Sequence, residues 1–181
     1  MTKGILVMGA SGTGTTTLGQ ALAGQLGYKH LDTDDFYWLR TDPPYKMSRP
    51  KEERNQLLSQ AMSQGPWVIS GSLVDWDFSL EDHLDLLVFL WLPKSLRLER
   101  ICNRERQRYG NRLEVGGDMY EAFMTFITYA GSYDQGDLTM RSRQLHDQWM
   151  GQLSCPILRL EEDLTTEARL ERILSYWKSH L

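Results

Sequence analysis

The chain is poor in cysteine, with only Cys102 and Cys155, far apart and without CxxC spacing. That scarcity excludes a disulfide framework, gives no zinc-site signature, and fits reduced thiols in the cytoplasm. Excess positive charge is also missing: 20 Lys and Arg face 24 Asp and Glu, a formal net charge of −4. A general nucleic-acid surface needs the opposite balance, so any basic patch is local. Long apolar runs are absent too. The longest, Leu84 to Leu92, contains Asp85 and falls well short of the ~20 residues that span a bilayer. The start, MTKGILVMGASG, passes straight from a short apolar run into a glycine-rich segment and leaves no room for a signal peptide. The expectation is a cytoplasmic monomer or homodimer with neither a nucleic-acid nor a membrane partner. There is no internal repeat or low-complexity segment. The four histidines, His30, His83, His146 and His180, are dispersed and receive no ligand or catalytic role.

What is present fits one domain spanning residues 1–181, with 41% hydrophobic residues to build its core. Apolar runs bounded by turn signals predict strands at Gly4 to Met8, Lys29 to Asp32, Trp67 to Ser70, Asp85 to Leu92 and Pro156 to Leu160. Apolar residues three and four apart predict helices at Thr16 to Leu26, Lys51 to Gln64, Lys94 to Arg108, Asp118 to Gly131, Thr139 to Leu153 and Thr166 to Lys178. Alternation of strands and helices implies a parallel sheet, and the near-continuous apolar character of Ile5 to Met8 and Leu86 to Leu92 suits strands covered on both faces. The predicted class is a doubly wound α/β domain. Leu170, Ile173, Leu174 and Trp177 form one core-facing stripe, and Leu145, Trp149 and Leu153 another. Two irregular stretches, Thr41 to Pro50 with three prolines and Tyr109 to Gly117 with three glycines, are candidate loops over a site.

Residues Gly9 to Thr16 read GASGTGTT, which fits the phosphate-binding pattern GxxxxGK[ST] except that Thr15 stands in the lysine position. The segment follows an apolar strand and opens a helical pattern, the context that such a loop requires. Backbone N–H groups of Gly9, Ser11, Gly12, Thr13, Gly14, Thr15, Thr16 and Thr17 are the candidate nucleotide-binding groups, aided by the partial positive charge of the helix N-terminus. Thr16 occupies the position whose hydroxyl binds Mg²⁺. Thr15 offers a neutral hydroxyl where a mobile charge normally reaches the β- and γ-phosphates. Hydrogen bonds to charged groups are worth roughly 1.5–3 kcal/mol, so the exchange weakens phosphate binding by about one or two orders of magnitude.

With this loop, the chain resembles P-loop kinases of the nucleoside monophosphate kinase and shikimate kinase type. HLDTDDFYW, after the second strand, is similar to the DTD or DSD segment of shikimate kinases. The match implies that Asp32 supports Mg²⁺ and that Asp34 holds the acceptor hydroxyl; the same acids also suit a helix N-cap. Ser70, Gly71 and Ser72 resemble the small-residue turn that touches the acceptor, and an ordinary strand-to-helix turn explains them equally. Arg97, Arg100, Arg104 and Arg108 are spaced to share a helix face. Within them, Arg100 to Arg104 looks like the RxxxR element that opens the adenylate kinase lid, implying that Arg100 lies over the base and Arg104 reaches phosphate. Arg112 is placed to enter from the lid, and Arg141 or Arg143 corresponds to a further phosphate-binding arginine. Asp35, Arg40 and Arg49, beside Phe36, Tyr37, Trp38 and Tyr45, are candidate acceptor contacts, as a planar or phosphorylated acceptor suits an aromatic wall with arginines. Trp76 and Asp77 are candidates for the opposite wall, or for packing.

The resemblance implies a three-layer α/β/α P-loop NTPase fold with a five-stranded parallel sheet, an acceptor-side insert at about 33–65 and a small helical lid at about 104–118. It implies an enzyme that transfers the γ-phosphoryl of Mg-ATP to a small-molecule acceptor, with a nucleoside monophosphate first and a small hydroxyl compound close behind. Asp34, Arg104, Arg112 and Arg141 are the expected catalytic residues, the lid arginines standing in for the missing lysine. The rival expectation is a nucleotide-binding switch or scaffold without transferase activity, with Thr15 as the trace of that loss.

Overall fold

The computed structural model describes residues 4–76, 80 and 83–180. Five strands, β1 (Gly4–Gly9), β2 (Lys29–Asp32), β3 (Trp67–Ser70), β4 (Leu86–Leu90) and β5 (Ile157–Leu160), form one all-parallel sheet in the order β2-β3-β1-β4-β5. Each strand lies within a residue or two of its predicted span. The central β1 pairs on both sides, Ile5 with Val68 of β3 and with Leu86 of β4.

Because strand side chains alternate in direction, the continuous apolar runs feed two cores. Leu6, Met8, Ile69, Leu87 and Phe89 pack on one face with Leu58, Met62, Trp76 and Met150. Ile5, Val7, Val68, Val88 and Leu90 pack on the other with Leu18, Leu22 and Ile173. Burying each such side chain is worth ~1.5–3 kcal/mol, so both layers are anchored to the strand that leads into the glycine loop.

The helices are α1 (Thr15–Leu26), α2 (Thr33–Tyr37), α3 (Lys51–Met62), α4 (Lys94–Tyr109), α5 (Tyr120–Gly131), α6 (Arg143–Met150) and α7 (Thr166–His180), with a 3-10 turn at Gly110–Leu113. α1 and α7 cover one face of the sheet, while α3 and α6 cover the other. The short α2 goes unseen in the sequence because five residues carry no readable period; Asp32 caps it, accepting the Asp34 N–H at 3.0 Å. The predicted helix from Thr139 starts later, at Arg143. Asp137 Oδ1 accepts both the N–H and the hydroxyl of Thr139 and holds that stretch as a turn, while Ser142 Oγ caps the N–H of Leu145. Arg97 departs from the arginine face expected of α4. It is fully buried, donating to the carbonyls of Leu92 and Ala130 and pairing with Asp134, while Arg104 and Arg108 face solvent.

Between α2 and α3 the Thr41 to Pro50 stretch is pinned at its base. Leu39 N–H donates to Met47 O and Arg49 N–H to Tyr37 O, with a bridge between Trp38 and Ser48. The cysteines are free, and no helix among the described residues is long and apolar enough to cross a membrane.

Candidate active site

The glycine loop, the acids after β2 and the turn after β3 meet at the carboxyl edge of the sheet, the usual ligand crevice of an open parallel sheet. In the loop, Thr13 turns back on Ala10, donating to its carbonyl from N–H at 3.2 Å and from Oγ1 at 2.8 Å. Gly12 and Gly14 take φ values of 85° and 92°, which favour glycine. Gly12 also lies against the Arg97 carbonyl, 2.5 Å from where a Cβ would stand. Among the described residues no acceptor takes the amides of Gly12, Gly14, Thr15, Thr16 or Thr17. This leaves a set of free donors at the N-terminus of a 12-residue helix.

Thr16 Oγ1 donates to Asp32 Oδ2 at 2.8 Å, and Ser70 Oγ donates to the same oxygen at 3.2 Å. His30 Nε2 lies 2.9 Å from Ser70 Oγ. A hydroxyl and a carboxylate facing each other beside free amides are the hard oxygen donors that suit Mg²⁺ next to a phosphate. Asp32 thus serves as helix cap and as partner of Thr16 together.

Two residues on, Asp34 opens into a cleft of about 430 Å³ lined by Asp34, Asp35, Trp38, Leu39, Arg40, Thr41, Pro44 and Tyr45. By surface area Asp34 is exposed at the cleft mouth, while the protein packed around it still desolvates its carboxylate. Desolvation and, next, the neighbouring Asp32 push its pKa up; Arg141, Arg104 and a hydrogen bond with Trp38 act against the rise. Trp38 and Tyr45 meet edge to face at 5.9 Å. Tyr45 holds φ 60°, a left-handed conformation that costs a non-glycine residue on the order of 1–3 kcal/mol and clusters at functional sites. Burial raises the pKa of Tyr45, followed by Tyr109 and Asp34, so Tyr45 lies near the C-terminal end of α4.

The arginines divide. Arg104 and Arg141 both bear electrostatically on Asp34, with Arg104 also paired to Glu105 at 2.8 Å. Arg143 instead pairs with Glu161 and stands over the Trp91 ring. Arg112 is not brought to Asp34: it bridges Asp118 and Asp42, 76 residues apart in the chain, each at 2.7 Å. Arg100 pairs with Asp163 at 2.7 Å. Arg49 binds the Phe36 carbonyl and Glu53, fastening α2 to α3 rather than facing the cleft. Ser70 is turned to Asp32, Ser72 is buried against His146, and Gly71 donates to the Val7 carbonyl. Trp76 packs in the core under Arg54, while Asp77 lies outside the described residues.

Three structural features escape sequence reasoning. Arg54 is buried between the rings of Tyr37 and Trp76 and donates to Asp75 O. Arg169 of α7 is buried against the loop and donates to Thr13 O at 2.8 Å. His146 joins Ser72 Oγ at 3.1 Å and Tyr133 Oη at 2.8 Å. The two arginines do leave a trace, since each stands four residues before buried apolar positions, Leu58 and Ile173, and so lies on an inward stripe.

Over 181 residues the chain is 44% identical to the uncharacterized protein YqaC of Bacillus subtilis (strain 168), covering 99% of this chain and all of that one. It belongs to the YqaC family. No protein-family profile matches. More distantly, a cytidylate kinase of Natronomonas pharaonis is 29% identical over 113 residues, 56% of this chain and 58% of that protein. A shikimate kinase 2 of Sodalis glossinidius is 54% identical over 41 residues, 23% of this chain and 24% of that one. Among solved structures, the shikimate kinase of Acinetobacter baumannii in complex with shikimate superposes with a TM-score of 0.57 at 20% identity, over 99% of this chain and 94% of that one. The Bacteroides thetaiotaomicron shikimate kinase gives 0.54 at 20%, over 98% and 99%. This member of the YqaC family has the P-loop kinase fold.

Proposed function

We propose that this YqaC-family protein is a small-molecule kinase that transfers the γ-phosphoryl group of Mg-ATP to a hydroxyl of an acceptor bound in the Asp34 cleft. The observation that carries the reading is the Asp34 carboxylate, facing that cleft two residues beyond Asp32 of the Thr16–Asp32 pair, with its pKa raised by desolvation. A general base works best when its pKa approaches the working pH, and the rise moves Asp34 that way. Loop amides bind the nucleotide phosphates. Thr16 and Asp32 are the oxygens suited to hold Mg²⁺, which when bound neutralises charge on the bridging phosphate oxygens. Asp34 takes the proton as the acceptor oxygen forms its bond to phosphorus and the bond to the ADP oxygen breaks. Arg104 and Arg141, which bear electrostatically on Asp34, supply positive charge to the transferring group. Trp38 and Tyr45 give the acceptor an apolar wall, and Arg40 gives it an anion partner.

A nucleoside monophosphate acceptor is the second reading, favoured by the similarity to a cytidylate kinase and by Arg40, Arg104 and Arg141. It ranks second because two carboxylates, Asp34 and Asp35, line the same cleft and repel an acceptor phosphate, whereas a hydroxyl donates to them. The test is ADP release from Mg-ATP against a panel of polyols, hydroxy acids and nucleoside monophosphates. Stimulation by a hydroxyl compound, lost in Asp34→Asn, is expected. Stimulation by monophosphates alone refutes the hydroxyl assignment, and nucleotide binding without transfer to any acceptor leaves the switch or scaffold reading.

A further inference from the structure

The loop lacks its lysine, yet a cation lies on its other side. Arg169 is only 4% exposed, although it reaches the loop from α7, 156 residues along the chain. Nη1 donates to the Thr13 carbonyl at 2.8 Å and lies 3.4 Å from where a Cβ on Gly14 would stand; Nη2 reaches Glu162 O at 3.5 Å. Nε is buried without a partner among the described residues. No carboxylate pairs with this guanidinium among the described residues, for the nearby Asp163 is engaged by Arg100. Burial of this cation is costly and Arg100 beside it adds repulsion, which Asp163, already paired with Arg100, opposes only in part. An anion held by the loop relieves both.

The carbonyl of Thr13 and the N–H of Gly14 belong to one peptide unit. A charged donor on that carbonyl polarises the unit and makes the N–H a stronger donor toward an anion. We propose that Arg169 supplies, through the Thr13–Gly14 peptide, positive charge that the phosphate loop would otherwise take from a lysine. Arg169 is thus a positioning residue that sets phosphate affinity from behind the loop. The inference rests on the loop's proposed phosphate-binding role.

The test is calorimetric binding of inorganic tripolyphosphate and of ATP to the whole chain and to Arg169→Gln and Arg169→Lys, each checked for folding by thermal melting. Glutamine keeps a neutral donor for Thr13 O and lysine keeps the charge. Affinity is expected to fall on the order of tenfold in Arg169→Gln and to stay within about threefold in Arg169→Lys. A folded Arg169→Gln that binds tripolyphosphate as tightly as the unaltered protein overturns the inference and leaves the kinase reading intact. An unaltered protein that binds neither ligand overturns both. Should Arg169→Gln not fold, nuclear magnetic resonance of the unaltered protein decides. The Gly14 amide and the Arg169 Nε–H signals are expected to shift together as tripolyphosphate is added; a shift at Gly14 with Arg169 unmoved refutes the coupling.

Discussion

Acid should destabilise this protein in a way traceable to one residue. His146 has no exposed surface, and its ring nitrogens contact the hydroxyls of Ser72 and Tyr133. Desolvation, then Arg141, lowers its pKa from 6.5 to about 3, with Asp147 opposing. In the unfolded chain the same imidazole titrates near its ordinary value. Between those two values the unfolded state binds a proton that the native state refuses, so stability is full above pH 6.5 and falls as the pH drops. The fall is worth about 2 kcal/mol by pH 5 and roughly 5 kcal/mol once the pH reaches 3, at 1.36 kcal/mol per pH unit. Urea unfolding at pH 7, 6 and 5 measures it, provided that the slope with denaturant is unchanged. In His146→Gln, which retains one donor and one acceptor, the loss between pH 7 and 5 should shrink by about that 2 kcal/mol. Carboxylate titrations act on both proteins and cancel in the comparison. Parallel pH dependences for the two would refute the buried neutral imidazole.

Gly12→Ala should abolish ATP binding, because its Cβ would stand 2.5 Å from the buried Arg97 carbonyl at a φ of 85°; unchanged affinity by calorimetry would contradict the loop geometry. Asp34→Asn should lower turnover about 10²–10⁴-fold while raising the melting temperature at pH 7. Since burial raises the Asp34 pKa, the native state holds its proton more tightly than the unfolded chain, and the ionised carboxylate costs stability above that pKa. By the same sign, turnover should fall with decreasing pH at a point above the ordinary aspartate value. A pH–rate profile with no such limb would count against Asp34 as base. Removing the Arg112–Asp42 ion pair with Asp42→Ala should leave the melting temperature nearly unchanged, because exposed ion pairs contribute ~0–1 kcal/mol, and should change the Michaelis constant for the acceptor more than that for ATP.

Much of this was legible in the sequence, for physical reasons. The strands were readable because a sheet covered on both faces demands uninterrupted apolar runs, as in Ile5 to Met8 and Leu86 to Leu90. The loop was readable because its spacing constrains backbone rather than side chains, and the Thr16–Asp32 pair followed from the segments on which each residue stands. Less legible was anything that depends on rotation about a helix axis. Arg97, Arg100, Arg104 and Arg108 share a nominal spacing, yet Arg97 turns inward to Asp134 and Arg100 outward to Asp163. Ser72 reads as a substrate contact until His146, 74 residues away, is seen to hold it. Arg169 remained hidden for the same reason: its partner, Thr13, lies at the far end of the chain.

The proposed kinase activity requires that the glycine loop, with Thr15 in the lysine position of the phosphate-loop pattern, still takes Mg-ATP. Thermal melting against rising ATP, with and without Mg²⁺, measures this directly, because a ligand that binds only the native state adds about 2.7 kcal/mol when present at 100 times its dissociation constant. The expected result is a magnesium-dependent rise in melting temperature that grows with the logarithm of ATP concentration and is absent in Gly12→Ala. No rise at millimolar ATP would contradict it.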